Sequence, residues 1–128
     1  MSDRIVIIDG NSLINRAYYA MSRIKSLNPL SSTDSDTYYI TQLIYSSLFK
    51  LDRDLNIEKD LVSSYDAGSG SVSITLKSGV KFSDGSSLTA GDVSYTVDKI
   101  KSIGKKSPYY AYASKISSVS VNGSHEIQ

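Results

Sequence analysis

Two periodicities of apolar and polar residues run along this chain and divide it into elements. Val72, Ile74 and Leu76 lie on one side of a run whose other side is Ser71, Ser73, Thr75 and Lys77, the two-residue repeat of a half-buried strand over 71–77. Gly68-Ser69-Gly70 just before it predicts a hairpin turn back to a strand at 61–65. Over 37–49 the period lengthens. Tyr39, Ile40, Leu43, Ile44, Ser47 and Leu48 share one face at helical spacing behind capping side chains at Asp34 or Ser35, which predicts a helix with that face inward. A second helix is predicted over 89–103, where Val93, Val97, Ile100 and Ile103 recur between Thr89-Ala90-Gly91-Asp92, a capping-box spacing with Asp in place of Glu, and Gly104. Asn122-Gly123 separates the runs 117–121 and 124–128, a strong hairpin signal, with Val119 and Val121 facing inward. Residues 50–66 are irregular, with a turn at Asp52-Arg53-Asp54.

The N-terminal pattern differs. Ile5, Val6, Ile7 and Ile8 run into Asp9-Gly10, a short buried strand and turn, and Asn11 or Ser12 then caps a helix to about Met21. Residues 18–24 read alternatively as an extended strand. The segment "KSLNPLSSTDSD" holds Asn28-Pro29 and a Ser/Thr/Asp cluster, which favour loop. The four-residue apolar run is far shorter than the hydrophobic stretch of a signal peptide, and no segment approaches the ~20 residues needed to cross a bilayer. The chain as written is therefore expected to stay in the cytoplasm. The second strand of the last hairpin has barely begun at Gln128, as expected of an excised piece.

Composition narrows the reading. With 128 residues, 40% of them apolar, the chain suits one modest core. Fourteen basic and thirteen acidic residues give a net charge of +1 with the signs interspersed, so the overall balance does not advertise a nucleic-acid or membrane-surface partner. The lack of cysteine excludes disulfides, thiol nucleophiles and thiolate metal sites. Ten tyrosines raise base stacking beside Lys99, Lys101, Lys105 and Lys106, near Tyr109, Tyr110 and Tyr112, but amphipathic packing explains them better and no nucleic-acid partner is expected. His125 has no evident partner in the sequence.

"IDGNSL" followed by "RAYYA" resembles the start of the five-prime nuclease domain of bacterial family A DNA polymerases. That resemblance implies a metal ligand at Asp9 and a phosphate contact at Arg16. Metal-assisted phosphodiester hydrolysis needs several carboxylates converging on one or two hard cations. No other acidic residue here recurs at a strand end as Asp9 does, so an incidental strand-turn aspartate is the better account, and a nuclease using Asp9 stands as the rival reading.

From Ile24 onward, "SLNPL", "LIYSSLFKLDRDLNIEKDLVSSYD", "ITLKSGVKFSDGSSLTAGDVSYTVDKI" and "SPYYAY" together resemble the N-terminal part of extracytoplasmic solute-binding proteins of peptide and nickel ABC transporters. The residues of the central signature do structural work: Gly79 turns the backbone, Phe82 anchors an aromatic ring in the core, Ser83-Asp84-Gly85 makes a tight turn and Thr89 caps a helix. Asp84 and Asp92 are accordingly a turn former and a capping residue, not an acid pair.

The resemblance implies an α+β fragment of lobe I of a periplasmic-binding-protein-like fold, with two main helices packed on a small, mostly antiparallel sheet. Residues 1–23 would be a polymerase-like leader, and 24–128 a partial lobe. The parent would capture a peptide or small solute outside the cytoplasm and deliver it to a membrane permease, with no cofactor, no metal and no enzymatic step. Ser32, Thr33, Asp34 and Ser35 would lie nearest the ligand cleft, although helix capping by itself also explains them. A chain holding only part of one lobe is expected to bind weakly, and to self-associate through exposed strand edges or a swapped N-terminal segment. A purely structural piece with no ligand is the third reading.

Overall fold

The computed structural model describes residues 27–128. The predicted N-terminal strand and helix, the alternative strand at 18–24 and Asp9 lie outside them. Helix α1 (Ser35–Ile44) leads to a two-stranded hairpin, β1 (Phe49–Leu51) and β2 (Ile57–Lys59). Strands β3 (Val62–Ala67) and β4 (Val72–Leu76) form a second hairpin. Helix α2 (Ala90–Ile103) follows, then a 3-10 turn (Gly104–Lys106), a short helix α3 (Tyr110–Ala113) and strands β5 (Val121–Asn122) and β6 (Glu126–Ile127). The larger sheet runs β3-β4-β6-β5 and is antiparallel throughout.

The alternation read in 71–77 decides how this sheet packs. Leu76 is buried, Ile74 half-buried and Val72 exposed, so the apolar face is covered at one end and open at the other. Leu76, Leu88, Ala90 and Ile127 form the core, with Ile74, Val80, Val93 and Val119 packed against them. Gly68 N–H donates to the Ser71 carbonyl (2.9 Å) in the predicted turn, where Gly70 takes φ +87. A bulge at Ser63 is held by its hydroxyl, which donates to the Thr75 (3.0 Å) and Leu76 (3.3 Å) carbonyls. The last hairpin is shorter than predicted. Only Val121 and Asn122 are strand residues on its first arm, although Ser120 and Gln128 exchange backbone bonds just outside the paired residues. Val119 does pack inward, whereas Val121 stays exposed.

Helix α2 begins where its capping pattern put it. The Asp92 carboxylate takes both the backbone N–H and the hydroxyl of Thr89, each at 2.8 Å, so Asp supplies what Glu usually does. The Ala90 N–H donates to the Ser124 carbonyl (2.8 Å), tying the helix start to the turn of the β5–β6 hairpin.

Helix α1 corrects the prediction twice. It ends at Ile44, because residues 47–48 find a different backbone partner: Leu61 N–H donates to the Ser47 carbonyl (3.1 Å) and Asp60 N–H to that of Leu48 (3.0 Å). Its buried side chains are Thr37 and Thr41, while Tyr39, Ile44 and Leu43, the last 88% exposed, face outward. The buried threonines cost little because the Thr37 hydroxyl donates to Asp34 (3.0 Å) and that of Thr41 to the Tyr38 carbonyl (2.9 Å). Phe82 is likewise exposed, not a core anchor. It lies in a tight turn where its N–H donates to the Ser86 carbonyl (2.8 Å) and Gly85 takes φ +87.

Candidate functional site

Residues 28–34 are shaped by short-range hydrogen bonds. Asn28 accepts the Leu30 N–H on its side chain (2.9 Å) and the Ser31 (3.3 Å) and Ser32 (3.2 Å) N–H groups on its carbonyl, turning the chain after Pro29. Asp34 then caps α1. Its backbone is extended (φ −82, ψ 133) and its carboxylate accepts the Thr37 N–H at 3.2 Å. Thr33, Asp34 and Ser35 are exposed and Ser32 half-buried, so three of the four sequence-predicted site residues are open to solvent.

These four do not act as an isolated loop. They line one side of an open concavity of about 340 Å³ together with Thr37, Tyr38 and Thr41 of α1 and, from far along the chain, Pro108 and Tyr109. The far wall is set by Ser107, which is buried. Its N–H donates to the Gly104 carbonyl (2.9 Å), and its carbonyl and hydroxyl accept the N–H groups of Tyr110 (3.2 Å) and Tyr109 (3.3 Å). Pro108 and Tyr109 were not named as site residues from the sequence. The sequence signals for them are the "SPYYAY" stretch within the family resemblance and, for Tyr109, the tyrosine cluster weighed for base stacking.

The chemistry offered is recognition by hydrogen bonding and apolar contact. The wall presents hydroxyls from Ser32, Thr33 and Ser35, tyrosine rings, and the first turn of α1, where the Ser35 and Asp36 N–H groups precede the first intrahelical bond. Among the described residues no group of three or more His, Asp or Glu side chains is placed to hold a metal ion.

Two carboxyls away from this wall are held below the ordinary aspartate range by their turns. Asp52 is lowered mainly by the Asn56 side chain (3.1 Å) and then by the Asn56 N–H (2.8 Å). Asp84 is lowered mainly by the Ser86 hydroxyl (2.6 Å) and then by the Ser86 N–H (2.8 Å). Asp84 is thus a turn former and Asp92 a capping residue, bonded to different partners.

A second, more apolar concavity, also about 340 Å³, lies between the two hairpins and is lined by Phe49, Leu51, Ile57, Tyr65, Ala67 and Val72. It continues the sheet's apolar face beyond the core. The Phe49 and Tyr65 rings meet edge to face there, centroids 5.2 Å apart.

Comparison with known proteins gives this arrangement its relatives. The glutathione-binding protein GsiB of Pectobacterium atrosepticum is 35% identical over 80 residues, covering 61% of this chain and 16% of GsiB. The oligopeptide-binding protein AppA of Bacillus subtilis is 34% identical over 102 residues, covering 78% of this chain and 19% of AppA. Among solved structures, NikZ from Campylobacter jejuni in complex with Ni(L-His) superposes with a TM-score of 0.69 at 28% identity, covering 82% of this chain and 22% of NikZ. AppA in complex with a nonapeptide superposes with a TM-score of 0.67, covering 78% of this chain and 20% of AppA. The chain thus spans about a fifth of the length of the proteins it matches. Residues 56–128 match the family described as bacterial extracellular solute-binding proteins, family 5 Middle, and the chain belongs to that family.

Proposed function

We propose that this chain is part of the first lobe of an extracytoplasmic solute-binding protein that captures a peptide or similar small solute for an ABC permease. In this reading the concavity around Ser32, Thr33, Asp34 and Ser35 is one wall of the ligand cleft. The observation that carries it is the meeting of this loop with Tyr109 across the concavity, within a chain of family 5. The named relatives hold a nonapeptide, glutathione or a nickel–histidine complex, all built from amino acids. Such solutes carry carbonyl and carboxylate oxygens that suit free N–H groups and hydroxyls at a helix start, and apolar parts that suit tyrosine rings. Capture without catalysis is the activity. Residues 1–23 act as a leader foreign to the family, and the edges of β3 and β5 are where self-association would begin.

One open wall leaves a ligand largely hydrated, and most of the free energy from burial and paired polar groups is forfeited. The isolated chain should therefore give no calorimetric heat with a pool of di- to pentapeptides at micromolar concentrations. Residues 27–128 grafted in place of the matching stretch of AppA should restore nonapeptide binding to within about tenfold of AppA itself. In that graft Tyr109→Ala should weaken binding by about five- to thirtyfold, the cost of losing one aromatic contact of about 1–2 kcal/mol. A graft that shows a cooperative thermal transition and yet binds no nonapeptide would overturn the reading.

A further inference from the structure

Strand β3 is an edge strand, and its register shows which backbone groups face outward. Leu76 N–H donates to the His125 carbonyl and Ile74 pairs with Ile127, so these two residues of β4 turn their backbones towards β6. Ser73 and Thr75 therefore bond towards β3, to Asp66 and Ser64, and the Gly68 N–H donating to the Ser71 carbonyl continues the pattern. Tyr65 and Ala67 alternate with these bonded positions. Their N–H and C=O groups point away from β4, where the sheet order gives them no strand partner among the described residues. The Ser63 carbonyl just before them accepts from the Lys59 ammonium (2.7 Å), so the open stretch of edge is two outward residues about Asp66.

The side chains beside that edge are apolar. Tyr65 and Ala67 share a face with their partners Ile74 and Val72, and this face runs into the concavity completed by Phe49, Leu51 and Ile57 of the β1–β2 hairpin. Leu51 is 61% exposed, Ile57 71%, Tyr65 53% and Val72 46%. At on the order of 100 Å² of exposed apolar surface each, these four offer about 400 Å² per copy. A two-fold pair would cover up to about 800 Å² from them, and the edge backbone with Ala67 and Phe49 carries the total to about 1,000 Å², the lower bound for a specific interface and the size of a weak one.

We propose that two copies of this chain pair through β3, antiparallel about a two-fold axis at Asp66. Tyr65 then exchanges both backbone bonds with Ala67 of the second copy, and Ala67 with Tyr65 of the second copy. Each tyrosine ring lies across from the small Ala67 side chain, beside the other copy's concavity. The axis also opposes the two Asp66 side chains on the polar face, a like-charge pair that keeps the association weak and reversible. Four backbone bonds and the apolar cover outweigh that one opposed pair. The proposal narrows the self-association named above to one edge. It does not rest on solute capture, because the two concavities share no lining residue.

The test is sedimentation velocity of the full 128-residue chain from roughly 5 to 500 µM, with amide hydrogen exchange at both ends of that range. A dimer should appear at the upper end, and the Tyr65 and Ala67 amides should slow only there. Asp66→Asn should tighten the dimer about two- to fivefold, because the axis sets this residue against its own copy. Ala67→Pro removes an N–H that the fold of one copy does not use, and should abolish the dimer. Circular dichroism checks folding; if that variant does not fold, Ile57→Lys replaces it, with the same expected loss. Leu43→Lys, at an exposed leucine on α1, should leave the dimer unchanged. A monomer throughout, a dimer kept by the folded β3-edge variant, or no tightening by Asp66→Asn would each overturn the proposal. Loss of the dimer with Val121→Lys on the β5 edge, and not with the β3-edge variant, would leave self-association standing and strike this interface. Slow Tyr65 and Ala67 amides in the monomer would put another segment of the same chain on this edge and likewise overturn it.

Discussion

Replacing Leu76 by alanine, with Leu43→Ala beside it, tests which leucines hold the fold. Leu76 is 2% exposed, at the centre of the core with Leu88, Ala90 and Ile127, and its N–H donates to the His125 carbonyl at 2.8 Å across the sheet. Truncation loses the transfer free energy of the side chain, about 2 kcal/mol, and adds a cavity term. The cavity would not close readily, because Ala90 is already small and Ile127 is pinned in a strand paired on both sides. The expected loss is therefore about 3–4 kcal/mol. A domain of this size is stable by about 5–10 kcal/mol, so the variant keeps only a fraction of that and its thermal midpoint should fall by roughly 15 °C or more. Leu43, although on the face that helical periodicity marks as inward, is 88% exposed, and its truncation should change stability by less than about 0.5 kcal/mol. Urea titrations followed by circular dichroism, with all chains at one concentration, give both numbers. If Leu43→Ala costs as much as Leu76→Ala, the outward orientation of α1 is wrong and the argument from burial fails with it.

Leu55 is the one residue other than glycine with positive φ among the described residues (φ 64), and its side chain is exposed. Leu55→Gly should relieve about 1 kcal/mol of left-handed strain, partly offset by chain entropy, and raise the thermal midpoint by a few degrees; a lower midpoint would contradict it. Asp52 and Asp84 have native pKa values below their ordinary value of 3.8, so each contributes stability that is present above that pH and lost as pH falls through the depressed native value. Asp52→Asn with Asp84→Asn should therefore flatten the decline of stability with falling pH below about 4, measured by urea unfolding across a pH series; an unchanged slope would refute it.

How much of this was legible in the sequence varied with the length and partnership of each element. Helix α2 was readable almost to the residue, because its start is decided by a local device, Asp92 reaching back to Thr89, and its end by Gly104 at φ 67. The β3–β4 hairpin was readable because strict alternation meets a glycine turn. The β1–β2 hairpin was not, since each arm is three residues long and its side chains are mostly exposed, which leaves no periodic signal. Helix α1 misled for a related reason: its apolar stripe is real, but the side chains that face inward are threonines whose hydroxyls are satisfied within the helix or its cap. The loop Ser32 to Ser35 could be named from the sequence, whereas the lining it shares with Tyr109 depends on how the fold places parts of the chain more than seventy positions apart.

The placement of β6 sets the order in which this unit can mature. Ile127 pairs with Ile74 on one side and Val121 on the other, so the strand in the middle of this sheet is supplied about fifty residues after its partner β4. Until it emerges, the chain holds the β3–β4 hairpin without its third strand and a helix α2 whose first amide lacks its Ser124 acceptor, with Leu76 and Leu88 still wet. Maturation is thus gated by a closure of roughly fifty residues, an interval in which holdase chaperones would meet these residues unfolded.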